Sequence, residues 1–299
     1  MATRAMWTLR RLLSMANRTE LSRVWAVWRQ VGQGSVQIEA RRWRRALNAV
    51  RSLLRDPTPA GPIWAVSMVK NEADIIVETL RNLRSQGVDH ILVADNGSTD
   101  GTRALLVAEG VHVVDDPIVD YWQAQKMSHL ARTATRHGAA WVVPFDADEI
   151  WKGQGGRTLA ATLRSTTRNV AEAEWWQYVP IKDGDGGFAE RFPWRLKEPD
   201  AQSKQAFRAN WLARLTTGNH TVYLPSPRVE RNLRIAHFRS RSIEQMLRKA
   251  RDGSEASRKA GIAAHKLPQW FEVTSEEEAA RRLVAMKARE LTHDPASAW

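Results

Sequence analysis

The chain contains no cysteine. Disulfides, thiolate-held metals and a cysteine nucleophile are therefore excluded, and cysteine usage leaves the redox compartment undetermined. No apolar run approaches the roughly 18–20 residues of a spanning helix. The basic N-terminus is interrupted by Arg and Glu before a signal-like apolar core forms, so the expected location is the cytoplasm. There is no aromatic-basic RNA motif and no zinc-finger spacing, and no nucleic-acid partner is expected. No glycine-rich phosphate loop follows the first strand-like run, which disfavours nucleotidyl transfer.

What remains has the composition of a folded protein. The 299 residues are 43% hydrophobic and 26% charged, enough for one large α/β domain with additions or two modest ones. The net charge of +12 is uneven: residues 1–56 carry twelve Arg against Glu20, Glu39 and Asp56, an excess of nine positive charges. Trp43, Leu47, Val50 and Leu54 form one stripe of a helix that is otherwise rich in Arg. Two readings stand for it. A basic amphipathic helix lies on an anionic membrane surface, which would make the protein peripheral at the inner face of the membrane; alternatively the stripe docks on the domain behind it.

After a Pro-rich linker at 57–62, strand and helix patterns alternate. Strands are expected at 63–68, 90–94, 111–114 and 140–145, with helices over 73–86, up to Ala108, and over 121–136, stopped by Gly87, Gly110 and Gly138. Such alternation implies right-handed crossovers and a doubly wound, mostly parallel sheet flanked by helices. Ligands of these sheets bind outside the carboxyl ends of the strands. Asn71 and Glu72, Asp95 and Asn96, and Asp146 and Asp148 each follow a strand and so converge on one edge. Ser275 and Glu278 make a capping-box pattern before a C-terminal helix over 279–291.

The densest signal is Val142 to Glu149, an apolar run ending in three carboxylates. Continued as a strand, it puts Asp146 and Asp148 on the same side. Two carboxylates so placed repel unless a cation or a shared proton intervenes, and oxygen ligands suit Mg2+ or Mn2+. Left unpaired they are a strain, so Asp148→Asn is expected to leave stability unchanged or higher. Acidic residues also cap helices and fill turns, which is the alternative.

Three segments together, Met68 to Asp74, Asp95 to Thr102 and Phe145 to Glu149, resemble glycosyltransferase family 2. The stretch from His237 to Lys249 resembles the C-terminal part of a bacterial subfamily. The resemblance spans roughly residues 62–252 and implies the GT-A fold and transfer of a sugar from a nucleotide-sugar donor, usually with inversion, to a sugar or lipid-linked acceptor. Its expected organisation is a basic helical segment (1–56), the linker, a GT-A domain over 63–240 with a donor half (63–151) and an acceptor half (152–240), and a helical segment over 241–299.

By the same resemblance Asp146 and Asp148 hold the metal, with His237 as a further ligand and His220 as second choice. Asn71, Glu72, Asp95, Asn96, Ser98 and Asp100 fall to the nucleotide side. Asn96 stands where many relatives have Asp against the base, and an amide offers donors as well as acceptors there. Asn96→Asp is accordingly expected to alter nucleotide ranking more than stability. The general base is not fixed: Glu174, Asp183, Asp185, Glu190 and Glu198 lie in the right region, and Asp183-Gly-Asp-Gly-Gly is also ordinary turn composition. Lys204 and Arg208 could meet the diphosphate, but on so basic a chain they read rather as solvated charges. With no base assigned, a catalytically idle GT-A domain that binds nucleotide or glycan is the alternative function.

Overall fold

The computed structural model describes residues 61–181, 188–266 and 271–294. The basic segment with its apolar stripe, most of the linker, Asp183 and Asp185 lie outside the described residues. Among the described residues no helix is long and apolar enough to cross a membrane.

Four strands, β1 (Ile63–Val69), β2 (His90–Asp95), β3 (His112–Asp115) and β4 (Trp141–Pro144), pair in parallel in the order β4-β1-β2-β3. The connections are helices α1 (Ile76–Ser85), α2 (Thr102–Ala108) and α3 (Gln123–Arg136). Strand alternation distributes β1 between two cores. Ile63 and Ala65 pack with Leu80 and Leu83 of α1, whereas Trp64 and Val66 pack with Met127 and Leu130 of α3. Both faces are covered, which is why β1 reads as a continuous apolar run rather than an alternating one. Each fully buried Leu contributes about 1.5–3 kcal/mol. Gly87, with φ of 84°, ends α1: Val88 N donates to Leu83 O at 3.0 Å, closing the helix with a left-handed residue. The α/β architecture expected from the sequence is thus present.

The second half turns the sheet mixed. β5 (Glu149–Gly153), helix α4 (Leu159–Ser165) and the long strand β6 (Val170–Val179) follow β4. Then come α5 (Phe188–Arg191), β7 (Trp194–Leu196), β8 (Ser203–Arg208), the small hairpin β9 (Arg214–Leu215) and β10 (Val222–Tyr223), and β11 (Val229–His237). β8 bridges the halves by pairing antiparallel to both β4 and β6. β11 runs parallel to β6 and antiparallel to β5. Helices α6 (Ile243–Lys259) and α7 (Glu276–Lys287) close the chain, with Ser242 and Ser275 as side-chain N-caps.

Two expectations need correction. β4 stops at Pro144, so Asp146 and Asp148 straddle a tight turn between β4 and β5 and are not alternate residues of one strand. The C-terminal segment is not purely helical: α7 ends at Lys287, and β12 (Leu291–His293) pairs antiparallel with β7.

Candidate functional site

A cavity of about 600 Å³ opens at the carboxyl ends of β1, β2 and β4, the edge that parallel crossover topology leaves free for ligands. Asn71, Glu72, Asn96, Asp146 and Asp148 line it, together with Trp175 and Gln177 of β6, His220, His237, and Arg248 and Lys249 of α6. The structure therefore brings five expected residues from three strand ends, plus both histidines, to one place.

Each Asp of the Asp146-Ala147-Asp148 turn is held by a lysine. Asp146 Oδ2 lies 2.6 Å from Lys204 Nζ, and its Oδ1 accepts from Asn219 Nδ2 at 3.1 Å. Lys204 also meets Glu149 Oε1 at 2.7 Å, and both of these side chains are completely buried. Glu149 Oε2 in turn accepts from the backbone N–H of Asp146 at 3.0 Å. Burial pushes the Glu149 carboxyl up to about 8, with the Asp146 charge adding to the rise and Lys204 opposing both. Burial alone would lower Lys204, but Asp146 and Glu149 outweigh it and hold the ammonium charged.

Asp148 is buried and meets a different set of partners. Its Oδ2 is 2.6 Å from Lys249 Nζ and 3.5 Å from Arg241 Nη1, and its Oδ1 is 3.6 Å from His237 Nε2. Burial works to raise its pKa, yet Lys249, His237 and Arg241 together hold it well below the carboxylate range. Arg241 and Lys249 also bind Glu72, and Arg241 Nε binds Asp74 at 2.6 Å. Burial opposes the charge on both cations, but these carboxylates raise their pKa values. The expected strain of two bare, repelling carboxylates is thus absent, because each has its own cation.

Burial lowers the pKa of His237, with the Asp148 charge opposing, which keeps the imidazole neutral near pH 7. It stacks on Trp175 at 4.3 Å, and its Nδ1 faces Gln177 Nε2 at 2.8 Å. With the amide nitrogen donating to Nδ1, the ring proton sits on Nε2 and points at Asp148. His220 packs edge-on against the same Trp175 at 5.2 Å, and its Nδ1 is 3.1 Å from Ser203 O. Burial, followed by the Lys204 charge, lowers its pKa too.

Several expected residues serve the loops instead of the cavity. Asp95 Oδ1 accepts from Ser98 N at 3.1 Å, and Ser98 Oγ accepts from Asn71 N at 3.0 Å. Asp100 accepts from Ala73 N and Thr102 N at 3.0 Å each. None of Asp95, Ser98 and Asp100 lines the cavity. Asn96 does, but its Nδ2 donates to Asp116 O, Asp116 Oδ2 and Ile118 O at 2.9, 3.0 and 2.7 Å. Its amide donors therefore brace the loop after β3. Glu174 is a further correction: Trp175 and Gln177 line the cavity, so strand alternation puts Glu174 on the opposite face. Glu190 is exposed on α5 and Glu198 follows β7; neither borders the cavity.

The sequence reading missed Arg241 and Asp200 and took Lys204 for a solvated charge. Strand period 2 carries a signal for Lys204, since it shares a strand face with Ala206, which is also fully buried. It is not a solvated charge. Arg208 is half-buried, 4.8 Å from the Trp141 ring centroid, and away from the cavity. Burial, then the charge of Arg228, lowers its pKa to about 10. Asp200 borders the cavity from the loop between β7 and β8, with its Oδ1 accepting Gln202 N at 3.0 Å.

Residues 65–204 match the family described as Glycosyl transferase family 2. The matched segment runs from β1 to Lys204 and contains the whole Asp146–Glu149–Lys204 cluster, whereas Arg241 and Lys249 lie beyond it. A stretch of 58 residues is 41% identical to Glycosyltransferase AglJ of Haloferax volcanii, covering 19% of this chain and 19% of that protein. Mannosyl-3-phosphoglycerate synthase from Rubrobacter xylanophilus is similar at 21% identity and a TM-score of 0.31, over 48% of this chain and 46% of that one. Glucosyl-3-phosphoglycerate synthase from Mycobacterium tuberculosis, solved with Mn2+, uridine-diphosphate and phosphoglyceric acid, is similar at 20% identity and a TM-score of 0.29, over 39% and 44%. The chain thus spans about a fifth of the curated relative and under half of either synthase.

The carboxylate oxygens of Asp146 and Asp148 fit a hard divalent ion in kind. In arrangement they are not a ready cage. Among the described residues no group of three or more His, Cys, Asp or Glu side chains is placed to hold a metal, and an ion would exchange with the two lysine ammonium groups.

Proposed function

We propose that the protein is a metal-dependent, inverting glycosyltransferase of the GT-A type that moves a sugar from a nucleotide-sugar to a hydroxyl-bearing acceptor. The observation that carries this reading is the Asp146-Ala147-Asp148 turn, set at the carboxyl edge of the parallel strands beside a 600 Å³ cavity, inside the family-matched segment. Asp146 and Asp148 would hold Mg2+ or Mn2+, which neutralises charge developing on the leaving diphosphate. Asn71, Glu72 and Asn96 border the nucleotide end, and Lys249 is a cation at the cavity wall for phosphate oxygens, whereas Lys204 is buried behind Asp146.

In a single displacement the acceptor oxygen bonds to the anomeric carbon while the bond to the diphosphate breaks and its electron pair leaves with the phosphate. The hydroxyl proton needs a carboxylate on the acceptor side. Glu72, Asp146 and Asp148 are engaged in ion pairs at the cavity wall. Two cavity carboxylates have no ion-pair partner among the described residues: Asp252, which accepts from Asn71 Nδ2 at 2.8 Å, and Asp200, which is the base we assign.

A second reading, a catalytically idle binding domain, is favoured by one observation: both Asp residues already have lysine partners at 2.6 Å. One assay separates the two. The full chain is incubated with UDP-, GDP- and TDP-sugars, with and without Mn2+, and diphosphate release is followed. Metal-dependent release that falls by about 10²–10³ in Asp146→Asn supports transfer chemistry. Tight diphosphate binding with no release from any donor supports the idle domain.

A further inference from the structure

A second cavity, of about 400 Å³, adjoins the first and shares Gln177, Asp200, Arg239, Gln245, Lys249 and Arg282 with it. It lies against α6 and α7, both beyond the family-matched segment. Its volume is that of a small-molecule site. Met246, Val273 and Met286 supply apolar wall, and three arginines, Arg239, Arg282 and Arg289, supply charge.

The pairing of these charges is unequal. Arg282 is bound to Glu272, and Lys249 is held by Asp148 and Glu72. Arg239 and Arg289 have no carboxylate partner among the described residues, although both line the cavity. Both are exposed residues at the border of one concave, partly apolar space, where an anion could gain charged hydrogen bonds that neither spends on a carboxylate. Asp200 is the carboxylate that borders both cavities. A molecule seated by the arginines would therefore present its other end to Asp200 and to the donor cavity.

We infer that this second cavity is the acceptor site and that it selects an anionic acceptor, one with a phosphate or carboxylate group held by Arg239 and Arg289 and a hydroxyl directed to Asp200. The inference rests on the transferase reading and specifies its substrate class.

The test uses the full chain and three probes: inorganic phosphate, sn-glycerol 3-phosphate and uncharged glycerol. Binding is measured by calorimetry in wild type, Arg239→Gln and Arg289→Gln, with UDP titrated in parallel. Expected is binding of glycerol 3-phosphate but not glycerol, weakened by about tenfold or more in each variant as a charged hydrogen bond is lost, with UDP affinity unchanged in Arg289→Gln, whose residue lines the second cavity and not the first. Binding of inorganic phosphate that is also weakened by both substitutions assigns the arginines to the anion itself. Glycerol 3-phosphate binding unaffected by either substitution, or no binding of either phosphate probe, would overturn the inference. Loss of UDP affinity in Arg289→Gln would also overturn it, by moving that arginine to the donor. Donor hydrolysis without acceptor tests the transferase reading separately, because it requires neither arginine.

Discussion

The two acidic residues of one tripeptide are treated differently. Asp146 belongs to a cluster contained within the family-matched segment, where Lys204 on β8 serves two carboxylates and Glu149 is pushed towards neutrality. Asp148 belongs to a cluster that reaches across the chain to Arg241 and to Lys249 on α6. The first relieves excess negative charge by retaining a proton, the second by adding cations. A buried group with a surplus of partners loses more when it is neutralised than one that already shares a proton.

The sharpest way to break this contrast is Asp148→Asn. Removing the charge leaves Arg241 and Lys249 under-compensated, and stability should fall by about 3–5 kcal/mol in urea denaturation. This reverses the outcome expected from sequence, where the two carboxylates were unpaired. The sign with pH follows from the depressed pKa: the contribution of Asp148 is full above its ordinary value of 3.8 and is lost as pH falls through the lower folded value. The gap between wild type and variant should therefore narrow in acid.

Lys204→Met attacks the other cluster and should cost less, about 1–3 kcal/mol by the same measurement, because Glu149 can keep its proton while Asp146 is 31% exposed. A loss equal to that of Asp148→Asn would erase the proposed difference. Outside both clusters, Asn96→Asp replaces the donors that hold Asp116 and Ile118 with acceptors. It should also cost about 1–3 kcal/mol, read by thermal and urea unfolding. If instead only the ranking of UDP, GDP and TDP by calorimetry changes, the side chain serves the base and not the loop.

The last test reads a slope with pH. Folded Glu149 holds its proton up to about 8, while its unfolded value is 4.5. Native protein thus binds more protons in that window, and the stabilisation present below 4.5 is lost as pH rises through about 8. Glu149→Gln should remove this fall from a plot of unfolding free energy against pH.

The donor-side sheet was legible in the sequence because its signals are local. The apolar runs mark β1, β2, β3 and β4 to within a residue or so, and Gly87 and Gly138 stop α1 and α3, each with positive φ. Gathering Asn71, Glu72, Asn96, Asp146 and Asp148 at one edge also followed from topology alone. What sequence did not yield is the pairing of charge. Lys249 meets Asp148 across 101 positions, and Asn71 meets Asp252 across 181, separations on which periodicity carries no information. The loop residues Ser98 and Asp100 look like ligand contacts because small polar residues suit both binding and turns.

That long-range closure has a temporal consequence. On a growing chain, β1 to β4 are complete by Pro144, but the cations facing Asp148 emerge only with Arg241 and Lys249. Contacts of such separation form late, since loop closure must precede them. The parallel strands therefore precede, in chain order, the cations that balance their edge, and the cavity acquires its final electrostatics only when Arg241 and Lys249 dock against Asp148.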